Sequence, residues 1–107
     1  MIEIVYYNYK IKLGKNCKEN YKLVTVSNPN DIWVHLSDYP SGHAIITNSL
    51  DKKIPFTVLK HACLLVKKHS KYKNINKIDC DIAYVKDIKI DRNSEVEVNK
   101  LLKIITI

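Results

Sequence analysis

The segment 31–37 alternates between aliphatic residues and residues that carry polar atoms. Successive side chains of a strand point to opposite faces of a sheet, so this segment predicts a strand with one aliphatic face. The opposite face carries Asp31, Trp33 and His35. Turn-forming residues follow at 38–42 and apolar residues resume at 43–47, which predicts an antiparallel hairpin.

The first thirty residues show strand patterns followed by a helix pattern. β-Branched and aromatic residues predict a strand at 2–7, and apolar residues alternating with lysine predict a second at 9–13. Gly14 ends this strand. Asn16, with Glu19 three residues later, has the pattern of a helix capping box, although the end of the proposed helix is also compatible with a strand.

The second half contains one longer helix and two further strands. A polar loop at 48–53 precedes the helix, which Pro55 favours and which we predict from 55 to 69. Alternation predicts a strand at 78–84, polar composition a loop at 86–97, and apolar residues a terminal strand at 101–107. The predicted apolar stripe of the helix comprises Phe56, Leu59, Ala62, Cys63 and Val66.

These elements predict an α+β fold in the order ββ-α-ββ-α-ββ, with two helices and a mostly antiparallel sheet. The chain has 107 residues, which corresponds to one compact domain spanning 1–107. A hydrophobic fraction of 46% excludes a disordered basic tail. No apolar run is long enough to span a membrane, and charged residues interrupt the beginning, which argues against a signal peptide.

The net charge of +7, from 18 basic and 11 acidic residues, favours a polyanionic partner such as nucleic acid. Heavy use of lysine, asparagine and isoleucine is typical of low-GC genomes, as in some parasites, bacteria and giant viruses. The three cysteines are widely spaced and odd in number, so neither a disulfide framework nor a zinc knuckle is indicated. Reduced thiols favour a cytoplasmic location.

The tripeptide Gly14-Lys15-Asn16 is a candidate phosphate site. A glycine allows close backbone approach, a helix start offers free N–H groups, and lysine adds a positive charge. The alternative is a simple strand-to-helix turn with a solvated lysine.

Asp31, Trp33 and His35 form a second candidate site. An exposed indole beside an imidazole can stack on a base, and a carboxylate can accept a hydrogen bond from a base edge. In the alternative, Trp33 packs under the helices, Asp31 holds a backbone turn and His35 is structural. His43 could face His35 across the hairpin, but no further ligand completes a metal site, and no motif indicates an enzyme.

A third candidate is a basic surface that follows phosphates. It would include Lys67, Lys68 and Lys71 together with Lys10, Lys12, Lys60 and Lys73. The alternative is a set of solubilising lysines spread around the molecule.

The order of these motifs resembles a known family. The chain carries Gly14-Lys15-Asn16, Glu19-Asn20, Asp31-Ile32-Trp33-Val34-His35, Ser41-Gly42-His43, the helix after Ile54-Pro55, and Ser70-Lys71. This resembles the NFACT-R domain, the RNA-binding module of NFACT proteins, which act in ribosome-associated quality control. The resemblance is strongest to the short coiled-coil domain-containing 25 type, which has been linked to DNA sensing.

The resemblance implies a non-enzymatic module that binds RNA such as tRNA or rRNA, without a cofactor. DNA binding, or docking on a ribosome or a partner protein, are the alternatives. Two departures are the Ile82-Ala83 pair, where the family usually has Tyr-Thr, and the loop 91–97, which lacks Gly and Pro. Family-motif positions for binding are Gly14, Lys15, Asn16, Asp31, Trp33, His35, His43 and Lys71.

Overall fold

The computed structural model describes residues 1–48 and 50–107 and contains eight strands and two α-helices within them. Ser49, which belongs to the predicted polar loop 48–53, lies outside the described residues. The strands are β1 (Ile2–Tyr6), β2 (Tyr9–Leu13), β3 (Ile32–Leu36), β4 (Ala44–Ile46), β5 (Asp79–Tyr84), β6 (Ile88–Ile90), β7 (Val96–Val98) and β8 (Lys103–Thr106). The helices are α1 (Cys17–Thr25) and α2 (Phe56–Lys68).

Six strands form an antiparallel sheet in the order β1-β2-β4-β3-β5-β8. The predicted α+β class, with two helices and a mostly antiparallel sheet, is confirmed. A tight turn joins β1 to β2, with Tyr7 and Asn8 both at positive φ (47° and 67°), as a two-residue hairpin requires. No helix among the described residues is long and apolar enough to cross a membrane.

The helix α2 covers one face of the sheet and forms the main core with it. Val58, Ala62 and Cys63 are fully buried against the aliphatic face of β3 and its neighbours. The predicted stripe is confirmed except at Phe56, which is 52% exposed. Phe56 is the first residue of α2, and its ring lies 5.3 Å from the ammonium group of Lys103 rather than in the core.

The other face of the sheet is covered by α1 and by the β6–β7 hairpin. Trp33, Ile45 and Ala83 on this face pack against Leu23 and Val24 of α1 and against the hairpin. The loop predicted at 86–97 is therefore wrong, because a 3-10 turn, β6 and β7 occupy most of it. The strand β4 is equally short but lies in an apolar run, whereas β6 and β7 lie in polar sequence, where an alternation over three residues does not stand out.

One end of the sheet gathers the ends of several elements. The backbone N–H of Gly14, just after β2, donates to the carbonyl of His43, just before β4, at 3.0 Å. The backbone N–H of Ser37, just after β3, donates to the carbonyl of Asp79 at the start of β5, at 2.9 Å. The helix α1 begins at this same end, which places its first turn beside the sheet.

Candidate nucleic-acid interface

A cleft of about 780 Å³ opens at this end of the sheet, on the face opposite α2. The start of α1 and the β6–β7 turn form two of its sides, and residues of β3 and β5 form its floor. Its lining residues are Lys15, Asn16, Cys17, Asn20, Trp33, His35, Ser37, residues 40–43, residues 69–72, Asp81, residues 93–96 and Val98.

At the floor of the cleft, Trp33 and His43 form a buried contact. The indole N–H of Trp33 donates to Nδ1 of His43 at 3.2 Å, and both residues are almost fully buried. Trp33 is only 2% exposed, so its ring cannot stack on a base and the expected stacking role for it is wrong. The covering by α1 and the β6–β7 hairpin is the physical reason.

His35 lies on top of this pair and is partly exposed in the cleft. Its ring stacks parallel to the Trp33 indole, with ring centroids 5.6 Å apart. The ring of His43 meets it edge-on at 4.7 Å, which confirms that the two histidines face each other across the hairpin. Three rings therefore form one layered cluster with His35 outermost.

Both imidazoles are neutral at pH 7. Burial lowers the pKa of His43 from 6.5 to about 3, and the neighbouring His35 acts in the same direction. Burial also lowers the pKa of His35, against the opposing effects of a backbone hydrogen bond at Leu36 and of the Asp81 carboxylate. Because Nδ1 of His43 accepts from Trp33, its ring proton is on Nε2.

The start of α1 has the predicted N-cap at Asn16, in a variant of the capping box in which Glu19 reaches Lys15 instead of the N-cap residue. Oδ1 of Asn16 accepts from the backbone N–H of Glu19 at 2.9 Å, and the Glu19 carboxylate accepts from the backbone N–H of Lys15 at 3.0 Å. The capping box takes up two backbone donors that the phosphate hypothesis would have used. The Lys15 side chain is therefore the cationic group that this end of α1 presents to the cleft.

Gly14 lies beside the cleft rather than in its lining. A Cβ atom at this position would clash with Oδ1 of Asn20, which accepts from the backbone N–H of His43 at 3.2 Å. Gly42 is constrained similarly, because its Cβ would clash with the carbonyl oxygen of Gly14. The two glycines therefore let the segment after β2 pack closely against both α1 and the β3–β4 hairpin.

Asp31 holds the fold and does not line the cleft. Its two carboxylate oxygens accept from the backbone N–H groups of Asn28 and Asn48, both at 2.9 Å. Asp31 is 4% exposed, so the structural alternative holds at this position.

The predicted lysines are only partly gathered at the cleft. Lys15 and Lys71 line it, whereas Lys67 and Lys68 do not. The ammonium group of Lys67 donates to the carbonyl of Ile107 at 3.1 Å. Of the ten predicted site residues, the lining therefore includes Lys15, Asn16, Trp33, His35, His43 and Lys71.

Two parts of the cleft were missing from the sequence-based set. Asp81 is half-buried, lines the cleft and accepts from Ser37 Oγ at 2.7 Å. Its position opposite His35 in the β3–β5 register could have been inferred once the two strands were paired. The β6–β7 turn and the first residue of β7, residues 93–96, were predicted only as part of a polar loop, and the absence of Gly and Pro gave no reason to assign them to a binding site.

Metal coordination has no support in the described part of the chain, where no cluster of three His, Cys, Asp or Glu side chains could hold an ion. The groups that the cleft does offer are hydrogen-bonding side chains, the His35 ring and the ammonium groups of Lys15 and Lys71. These are the contacts that phosphates and nucleobases use.

Comparisons with solved structures identify proteins of the same fold. Nine solved chains match this one. One of them is the C-terminal part of the fibronectin/fibrinogen-binding protein from Streptococcus suis, with a TM-score of 0.87 and 22% identity over 98% of this chain. The present chain spans 43% of that solved chain, and the likeness shows that the fold is shared.

A search of curated proteins gave no match. A family model described as the NFACT protein RNA binding domain matches residues 4–99, which include most of β1, the other strands except β8, and the whole lining of the cleft. With nearly the full length matched, the chain belongs to the NFACT RNA-binding domain family.

Proposed function

We propose that this domain binds RNA in the cleft beside His35 and does not catalyse a reaction. The observation that carries the proposal is the pairing of two ammonium groups, Lys15 and Lys71, with a partly exposed aromatic ring and a carboxylate in one cleft. Ammonium groups neutralise phosphates, while rings and carboxylates contact bases. Family membership and the net charge of +7 support the same partner.

Finer proposals concern which RNA is bound and where. We propose structured RNA, such as tRNA or rRNA, and a role at the ribosome in the cytoplasm. Membership of the NFACT RNA-binding family supports this direction. Crosslinking in cells followed by sequencing of the captured RNA tests it, and enrichment of mRNA or DNA alone would argue against it.

The binding site is tested with two matched double variants. Lys15→Gln with Lys71→Gln removes the two cleft cations, and Lys60→Gln with Lys68→Gln removes two exposed cations from α2 with the same charge change. With a fluorescent RNA hairpin at moderate salt, we expect the first pair to weaken binding about tenfold or more and the second less than twofold.

Two results would contradict the proposal. Equal weakening by both pairs would indicate that the lysines act as a diffuse basic surface, which is the alternative considered from the sequence. Equal competition by DNA of the same length and sequence would indicate a DNA-binding module, because only RNA offers the 2′-OH.

A protein-docking role is a second candidate because β8 lies at the edge of the sheet. Ile104 on this strand and Leu102 just before it are 53% and 44% exposed. An unpaired strand edge can bind an extended segment of a partner. Capture of a protein partner that survives nuclease treatment and is lost in Ile104→Lys would favour this role.

A further inference from the structure

The shape of the cleft restricts the form of RNA that can enter it. The cleft is concave, and its volume of about 780 Å³ is in the range of sites that hold a small ligand. Bases inside a duplex have covered faces and paired edges, so they cannot enter such a cleft without being extruded. An unpaired nucleotide in a loop or bulge enters without that cost.

His35 provides a fixed ring for such a base. One side of the imidazole is held by stacking on the Trp33 indole, and His43 holds it edge-on. Because the hydrogen bond from Trp33 to Nδ1 fixes His43, the whole cluster is rigid beneath the exposed part of His35. A preorganised ring loses little conformational freedom when a base packs on it.

Asp81 gives the cleft a preference among bases. Oδ1 accepts from the Ser37 hydroxyl at 2.7 Å, which orients the carboxylate while leaving it capacity to accept further hydrogen bonds. An ionised carboxylate only accepts, so it favours base edges that present N–H donors. The pairing edge of guanine presents two adjacent donors, whereas that of uracil places one N–H between two carbonyl oxygens.

We infer that the cleft binds one unpaired nucleotide of the RNA, with its base against His35 and its N–H donors facing Asp81. Lys15 and Lys71 then contact the phosphates on either side of that nucleotide. Glu95 on the β6–β7 turn repels phosphate, which keeps the backbone towards the two lysines. This inference rests on the proposed function, because it specifies the form of RNA that the same site takes.

The test compares three RNA stems, each annealed from two strands so that no loop is present, which differ at one position. One stem is fully paired, one carries a single bulged guanosine, and one carries a single bulged uridine. We expect the guanosine bulge to bind about tenfold more tightly than the paired stem, with the uridine bulge between them. Equal affinity for all three would overturn the inference and leave RNA binding intact, whereas binding to none would overturn the proposed function as well.

Two pairs of variants connect the preference to the named side chains. Asp81→Asn should remove the difference between guanosine and uridine bulges, whereas Asp79→Asn, two residues along the same strand and exposed outside the cleft, should keep it. His35→Ala should remove the advantage of a bulge, and His35→Phe should restore it because the ring remains. Retention of the bulge preference in His35→Ala, with a folded protein shown by circular dichroism, would overturn the inference.

Discussion

Trp33 illustrates how burial redirects the role of a residue. Its indole lies on the sheet face that the sequence pattern indicates, but α1 and the β6–β7 hairpin cover it. Its N–H satisfies the buried Nδ1 of His43, and its ring supports His35. Trp33 therefore positions the histidine that faces the cleft, instead of contacting a base itself.

Replacing Trp33 by phenylalanine tests this supporting role. Trp33→Phe keeps an aromatic ring but leaves the buried Nδ1 of His43 without its donor. We expect the free energy of unfolding to fall by about 1–3 kcal/mol in urea denaturation. Tyr39→Phe, at an exposed position, is the control and should change little. Unchanged stability in Trp33→Phe would contradict the assigned hydrogen bond.

The low pKa of His43 predicts a loss of stability on acidification. The pKa of its imidazole is near 6.5 when unfolded and about 3 when folded, so the unfolded state binds more protons between these values. The contribution of neutral His43 to the free energy of unfolding is complete above pH 6.5. It decreases as the pH falls, by up to about 1.4 kcal/mol per pH unit for one proton. The lowered pKa of His35 acts in the same direction.

Urea denaturation between pH 7 and pH 5 measures this effect before most carboxylates titrate. His43→Gln should flatten the decrease in the free energy of unfolding, and His69→Gln, at an exposed position, should leave it unchanged. The same pH dependence in His43→Gln and the wild type would show that another group is responsible.

At the scale of the element, the stability of α1 depends on its N-cap more than on its amino-acid composition. The helix has nine residues and packs Leu23 and Val24 against the sheet face that carries Trp33. A helix this short is marginal by itself, so the Asn16 cap and packing on the sheet stabilise it. Asn16→Ala should lower the free energy of unfolding by about 1 kcal/mol. Asn16→Ser should lower it much less, because serine is also a good N-cap. Equal losses in both would contradict the capping role.

Cys17, the first residue of α1, reports on occupancy of the cleft. It is exposed and lines the cleft, whereas Cys63 and Cys80 are buried in the main core. A hydrogen bond with Cys63, together with burial, raises the pKa of the Cys80 thiol. We expect a thiol reagent to modify Cys17 alone in the native protein and to do so several-fold more slowly when RNA is bound. Rapid modification of all three thiols in native buffer would contradict the packing of the core.

The two helices and the six strands of the large sheet could be predicted because each lies in a clear local period, an apolar run or a capped segment. The strand at 9–13 and the capping box at Asn16 have the bounds that the pattern indicates. β6 and β7 could not be predicted, since their stability comes from packing Ile88 and Val96 against the apolar residues around Trp33 rather than from a local pattern. The turn between them is closed by Asp91, whose side chain accepts from the backbone of Asn93 and Glu95.

At the scale of the whole molecule, most positive charge lies outside the cleft. Among residues 1–48 and 50–107, only Lys15 and Lys71 of the lysines line it, and ion pairs such as Lys10–Glu3 at 3.2 Å neutralise some of the others. Affinity for RNA should therefore depend on salt with a modest slope. Two phosphate contacts predict a log–log slope of about −1.4 to −1.8, and Lys71→Gln should reduce its magnitude by about 0.7 to 0.9.

Titrations at several salt concentrations measure this slope, with Lys68→Gln as the control that should leave it unchanged. A wild-type slope of about −4 or steeper would indicate that many dispersed lysines also contact phosphates.

Local sequence alone determined which residues share a strand face, where α1 is capped, and that His35 and His43 can meet across a hairpin. These properties depend on backbone periodicity and on side chains within a few residues, which the sequence contains directly. Only the tertiary structure decided that Trp33 and Asp31 are buried, that Asp81 joins His35, and that Lys71 rather than Lys68 reaches the cleft. Exposure depends on what packs above a strand face, and that packing is made by segments distant in sequence.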